Sequence, residues 1–303
     1  MRMSYSSALS RPLALVFLLF AFGCISQGPA APTSNGVSVE YFKPDIEIVG
    51  EEGRIAIAML VFNGGFFPAT DVSANLYLHD GFVNAAWVKS LGSLQPANIE
   101  LGTGGESKEV LWDMTAPKLT EGETTYPFNF RADIGYSYQS STKREVPILI
   151  YDRVLELKQS GRGLPVGSSS SLDGPVSIRI ATDEPVVRKD KTDLKEFEVK
   201  VILTNAGSGY VKSDKSPSGT GECFGDALGC VDSVTVAIPN GLAFTSCGTS
   251  GVFKEIKLVE GRQAVLSCKI KATTSQDEYT PVITGSVGYR YHIDSSALVT
   301  VIK

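Results

Sequence analysis

Thiols and imidazoles are the side chains best suited to hold a metal, attack a carbonyl or cross-link strands. This chain of 303 residues has five cysteines and two histidines. The histidines form no site by spacing. His79 sits in Leu-Tyr-Leu-His-Asp-Gly-Phe, where His-Asp-Gly reads as a turn leaving a strand. His292 follows Tyr291 and falls with Arg290 on the polar side of an alternating stretch. Neither H-x-H nor H-x-x-x-H occurs, so the pair predicts no metal centre and no catalytic dyad. A nucleophile elbow, a P-loop and a dinucleotide fingerprint are all missing from the sequence. The run Gly102-Thr103-Gly104-Gly105 reads as a loop, because no helix pattern follows to offer amides to a phosphate. Asp214, Glu222 and Asp226 are near one another but lack the D-x-[DN]-x-[DN]-G spacing of a calcium loop. No catalytic residue, metal or cofactor is expected.

The cysteines divide into one and four. Cys24 closes an apolar run, residues 13–22, that follows Arg2 and Arg11 with no acid nearby. A bilayer span needs about 20 apolar residues, so the run is too short to cross and has the charge layout of an export signal. Its end, Ala21-Phe22-Gly23-Cys24, resembles the lipobox of lipoprotein precursors, which implies acylation of Cys24 and attachment to a membrane by an N-terminal lipid. Ordinary cleavage beside an incidental cysteine is the other reading. Residues 26–36 are mostly Gly, Pro, Ala, Ser and Asn, the composition of a tether. Cys223, Cys230, Cys247 and Cys268 remain, an even number that suits a disulfide framework in an exported protein. Of three possible pairings, Cys223–Cys230 and Cys247–Cys268 are favoured; a zinc site would want closer paired spacings.

The elements that must carry these residues are strands. Thirty glycines and fifteen prolines accompany abundant Val, Thr and Tyr, a strand-and-turn composition. A formal charge of -5 argues against nucleic acid as a partner. Phe128, Phe130, Ala132, Ile134, Tyr136 and Tyr138 alternate with polar residues, as on a half-buried strand. A break at residues 139–144 before Val146, Ile148 and Ile150 predicts a hairpin. The pattern returns 153 positions later through Tyr289 and Tyr291, then a polar turn, then Ala297, Val299 and Val301. Upstream, Val37-Ser38-Val39 corresponds to Val176-Ser177-Ile178, and Asn63-Gly64-Gly65 to Asn205-Ala206-Gly207. Only the signal has sustained helical periodicity. The fold class expected is all-β, with two tandem immunoglobulin-like antiparallel sandwiches after the signal segment.

Residues 60–78, LVFNGGFFPATDVSANLYL, resemble the strand pair of CARDB-type and related immunoglobulin-like modules of archaeal and bacterial surface and S-layer-associated proteins. The segment around Trp112 and the Gly-Tyr-x-Tyr motif share that likeness. The resemblance implies an archaeal source and a role in adhesion, spacing or assembly, with no catalytic residue to carry over. The organisation expected is a signal (1–23), a tether (24–36), copy 1 (37–152), a Gly/Ser linker (153–173) that lets the copies reorient, and copy 2 (174–303). Trp112 belongs to the core, and one ring of Phe66-Phe67 stays near the surface. The long segment after Gly207, bearing Cys223 and Cys230, is the one local anomaly. It makes Tyr210, Phe224 and Asp226 candidates for partner contact. The function expected is a lipid-anchored, extracytoplasmic scaffold or adhesion protein binding an envelope or surface protein or a glycan. The alternative is a ligand-binding lipoprotein, for carbohydrate or as a transporter accessory.

Overall fold

A computed structural model of the chain describes residues 36–77, 81–98, 100–213, 223, 228–248 and 250–303. Copy 1 comprises β1 (Val37–Pro44), β2 (Ile48–Gly50), β3 (Arg54–Asn63), β4 (Ala69–Tyr77), β5 (Val88–Leu94), β6 (Ser107–Thr115) and β7 (Thr125–Glu145). Next come β8 (Ile148–Ile150), helix α1 (Tyr151–Gln159) and β9 (Ser169–Leu172). Copy 2 begins with β10 (Val176–Thr182), β11 (Val186–Arg188), β12 (Glu196–Asn205), β13 (Tyr210–Val211) and β14 (Cys230–Ala237). It ends with β15 (Leu242–Ser246), β16 (Val252–Lys257), β17 (Gln263–Ala272), β18 (Glu278–Tyr279) and β19 (Val282–Ile302).

Period-two alternation sets the faces. In β3, Ile55, Ile57, Met59 and Val61 are buried, and across the ladder so are Val110, Trp112 and Met114 of β6. Burying each such aliphatic chain contributes roughly 1.5–3 kcal/mol. Trp112 is fully enclosed, and its Nε1 donates to Trp87 O at 3.0 Å, so it is a core residue. In copy 1 the sheet β1-β3-β6 faces β5-β4-β7; in copy 2 the sheet β10-β12-β17-β15 faces β16-β14-β19. Both copies are antiparallel sandwiches of immunoglobulin-like layout.

The copies share a sheet. β7 and β19 pair antiparallel without a break, from Val282 opposite Glu145 to Ile302 opposite Thr125. In a free-standing sandwich of this kind, a final strand from the same copy would cover that edge of β7. Here the other copy's long strand does so, and neither edge is left open. β1 also packs on β19, and β10 on β7. One buried cluster therefore runs from Val37 to Val301 through both copies.

Three expectations change. The hairpin after residue 138 does not form: β7 runs straight to Glu145 and β19 straight to Ile302. The polar residues that looked like a break continue the inward alternation. Ser140 and Thr142 are buried, and their hydroxyls bond Tyr289 Oη and Ser170 O. The segment read as a patternless linker contains most of α1 and all of β9, and Ser169–Leu172 pairs with Arg144–Ser141 of β7. Helix α1 escaped a periodicity search because nine residues bury only Val154 and Leu157, against Leu149. A third small sheet, β11-β8-β18, joins Ile148–Ile150 to copy 2. The segment between the copies is thus packed rather than free.

Candidate functional site

Strand pairing places Ser137 opposite Arg290, residues that also correspond to each other in the repeat. A local pseudo-twofold axis passes between them. Four tyrosines surround it on the inner face, Tyr136 opposite Tyr291 and Tyr138 opposite Tyr289, with ring centroids 5.9–6.3 Å apart. Such edge-on and tilted pairs are favourable beyond the area they bury. Their hydroxyls anchor the first strands and the turns. Tyr138 Oη accepts from Phe67 N at 3.1 Å, Tyr291 Oη from Gly209 N at 2.9 Å, and Tyr289 Oη from Val176 N at 3.2 Å. Tyr136 Oη, nearest the Val37 amide, is buried without a hydrogen bond of good geometry. Burial disfavours the phenolate, so all four are harder to ionise than usual: Tyr291 is pushed up to about 12, and Tyr136 and Tyr289 well above the ordinary value.

Each copy has an asparagine beside this quartet. Asn63 Nδ2 donates to Phe67 O and Leu94 O, both at 2.9 Å. Asn205 Nδ2 donates to Gly209 O at 3.1 Å and Gly261 O at 3.3 Å, while its Oδ1 accepts from Tyr291 Oη at 3.0 Å. Their backbone amides bind equivalent carbonyls, Asn63 N that of Glu106 and Asn205 N that of Arg262. The two turns then differ. In copy 1 the Glu106 carboxylate returns to Gln95 N at 2.9 Å and to Lys108 at 3.5 Å. In copy 2 the exposed Arg262 guanidinium has no hydrogen bond or ion pair among the described residues.

The outer face at the axis carries a polar group that sequence reading left unassembled. His292 is 6% exposed, and its Nδ1 lies 2.9 and 3.0 Å from the two Asp133 oxygens. The Tyr210 ring stacks on the imidazole at 5.3 Å and 14°. Tyr77 Oη donates to Asp294 Oδ1 at 3.1 Å. Burial first, then the charges of Asp133 and Asp294, push the Tyr210 phenol up to about 12. Gly135, opposite His292, makes the burial possible: a Cβ there would come within 2.9 Å of His292 Cε1 and 3.0 Å of Arg290 Nη2. Alternation correctly puts His292 beside Arg290 on the outer face, but a histidine on a polar face does not reveal a facing glycine.

Tyr210 also lines a cavity of about 640 Å³ at this end of copy 2. Its walls are the Asn205 turn, Leu228 and Gly229, and the turn from Leu258 to Arg262. Glu260 and Gly261 both have positive φ, and Arg262 N closes on Val259 O at 2.9 Å, a tight turn of the primed type. Lys257 Nζ donates to Leu228 O across the rim. The cysteines pair as Cys223–Cys230 and Cys247–Cys268, with Cα separations of 5.9 and 4.3 Å. Cys230 starts β14 beside the cavity, so the first bridge pins the segment that follows Tyr210. Cys24, His79, Asp214, Glu222, Phe224 and Asp226 lie outside the described residues. Among the described residues no group of three or more His, Cys, Asp and Glu side chains is placed to hold a metal.

The fold and this site define an all-β protein of two fused sandwiches with one asymmetric, disulfide-pinned end. No family model matches the sequence, and no curated protein does. Among solved structures, the D0-D1 domain of Intimin overlays at a TM-score of 0.22 with 12% identity, over 88% of this chain and 99% of that one. A protein of unknown function from Porphyromonas gingivalis W83 overlays at 0.21 with 9% identity, over 78% of this chain and 83% of that one. Overlays this loose carry no argument, and the fold stands on its own strand pairing.

Proposed function

We propose that the chain is a non-catalytic scaffold or adhesion protein of the cell surface, anchored through a lipid on Cys24, that binds an envelope partner with the end of copy 2. The observation that supports this reading is the asymmetry of the repeat. Copy 1 ties its Glu106 turn back on itself, whereas copy 2 opens a cavity at the same turn and sets a disulfide-pinned insertion beside it. The shared β7–β19 sheet would hold that end rigidly relative to copy 1. A role like that of S-layer-associated immunoglobulin-like modules, in an archaeal envelope, follows from the sequence resemblance alone. A ligand-binding lipoprotein is the second reading, favoured by the cavity, whose volume is in the range of small-molecule sites.

Crosslinking on intact cells followed by pull-down tests the proposal. The wild type should capture one defined envelope component and partition into detergent. Cys24→Ser should release the protein from the membrane fraction or block its processing. Replacing residues 212–229 with a short Gly-Ser turn should abolish capture while the fold is retained. Unchanged capture without the insertion, or a wild type that stays in the aqueous phase, refutes the corresponding half.

A further inference from the structure

The cavity at the Asn205 turn combines three features that seldom meet on a purely structural turn. The first is a cation with no partner among the described residues. Arg262 is exposed at the rim, and its guanidinium has no partner among the described residues, although its backbone is locked by Asn205 N at 2.7 Å and by its own turn. The fold uses the main chain of Arg262 and leaves the charge available. At the equivalent place copy 1 has Glu106, of opposite sign and fully engaged. The second feature is a neighbouring free acceptor: Glu260, also exposed, is held at φ 52 by the same turn and pairs with no described cation. The third is a ring. Tyr210 lines the cavity, and its ring is held in place by stacking on His292.

We infer that this cavity binds an acidic sugar residue, a hexuronic acid within a glycan. The inference rests on the partner-binding reading above and names the chemistry of the partner. A guanidinium presents paired N–H donors that match a carboxylate in a bidentate fork. A carboxylate such as Glu260 accepts from vicinal hydroxyls, and a tyrosine face takes the apolar side of a pyranose ring. The aliphatic walls of Val211, Leu228 and Leu258 suit the ring's C–H edge. Lys257 reaches the rim and donates to Leu228 O, and a guanidinium without a described partner favours an acidic sugar over a neutral one.

Calorimetric titration of the full chain with a digalacturonate, and with the same disaccharide as its methyl ester, tests the assignment. The acid should bind, and the ester at least about tenfold more weakly, because only the charge-assisted fork is lost. Arg262→Gln should cost the acid the same factor of about ten and leave the ester unchanged. Arg262→Glu, which installs the charge that copy 1 carries, should abolish binding of the acid. Both variants alter an exposed side chain whose backbone does the structural work, so thermal melts should match the wild type. Arg179→Gln, an exposed charge on β10, should bind like the wild type. Absence of binding by the acid, equal binding by the ester or by acetate, or full affinity in Arg262→Gln each overturns the inference. The titration does not depend on the lipid and reads sugar binding rather than cellular capture, so its failure leaves the scaffold reading standing. Loss of cellular capture with sugar binding intact would strike the scaffold reading alone.

Discussion

At the residue scale, stability concentrates where side chains reach across the pseudo-twofold axis. Tyr289 Oη serves both Ser140 and Val176 N in a buried setting. Tyr289→Phe leaves the Val176 amide without its hydroxyl acceptor and takes from Ser140 one of two partners, Gly174 N being the other, and should cost about 1–3 kcal/mol, read as a lower denaturant midpoint at unchanged slope. Gly65 illustrates the complementary constraint, since a Cβ at that position would lie 1.9 Å from Tyr138 Oη. Gly65→Ala must displace the ring or the Phe67 turn, at about 1–3 kcal/mol. The tyrosines also set a pH dependence. In the unfolded chain their phenols ionise near the ordinary value of about 10, whereas the folded protein holds them higher, Tyr291 and Tyr210 at about 12. Above pH 10 the folded state therefore binds more protons than the unfolded one, and stability falls as pH rises. The urea midpoint should show no tyrosine contribution below about pH 10 and should drop between about 10 and 12. A midpoint that is level across that window, or phenolate absorbance that rises fully near pH 10, would contradict it.

At the element scale, the two disulfides restrain different lengths of chain. Cys247–Cys268 spans 21 residues and ties the end of β15 to the adjacent β17, where Cys268 is fully buried. Cys223–Cys230 spans only 7. On the chain-entropy account the longer closure contributes about 3 kcal/mol and the shorter about 2.5. The Cys247→Ala/Cys268→Ala double variant should thus be destabilised more than Cys223→Ala/Cys230→Ala, whose loss falls chiefly on the segment beside the cavity. Equal melting of the two double variants would argue that the insertion is integral to the sandwich. Arg188 is a different kind of tie. It is 1% exposed and donates to the carbonyls of Asp193, Thr274 and Lys191 at 2.6–2.7 Å, which fastens the β11–β12 connection to the end of β17.

At the scale of the whole molecule, the continuous β7–β19 ladder makes the two copies one folding unit. Each copy alone would expose a 21-residue edge and half of the tyrosine quartet. Proteolysis between α1 and β9, at residues 160–168, should therefore yield two fragments that still co-elute in size exclusion and melt in one transition. Fragments that separate without denaturant would mean that the shared sheet contributes little. Residues 36–160 expressed alone should be poorly soluble, because an uncovered long edge is a template for aggregation.

The sequence by itself determined what depends on neighbours a few positions away. Alternation put Phe130, Ile134, Tyr136, Trp112 and Val299 inside, the 153-position echo revealed the repeat, and cysteine parity pointed to two bridges. Tertiary structure decided what depends on groups far along the chain. Ser140 resembled a break because its inward hydroxyl has no local partner, yet Tyr289 supplies one from 149 positions away. His292 read as a residue of the polar face, yet Gly135 and Asp133 bury it there from across the ladder, 159 positions away in the case of Asp133. Arg262 and Glu260 bore no motif at all; they line a cavity only because the Asn205 turn closes on theirs. Period-two burial is a local consequence of the pleat, whereas the choice of β19 to cover the edge of β7 is a global competition among edges. Sequence pattern records the first directly and the second only through the repeat.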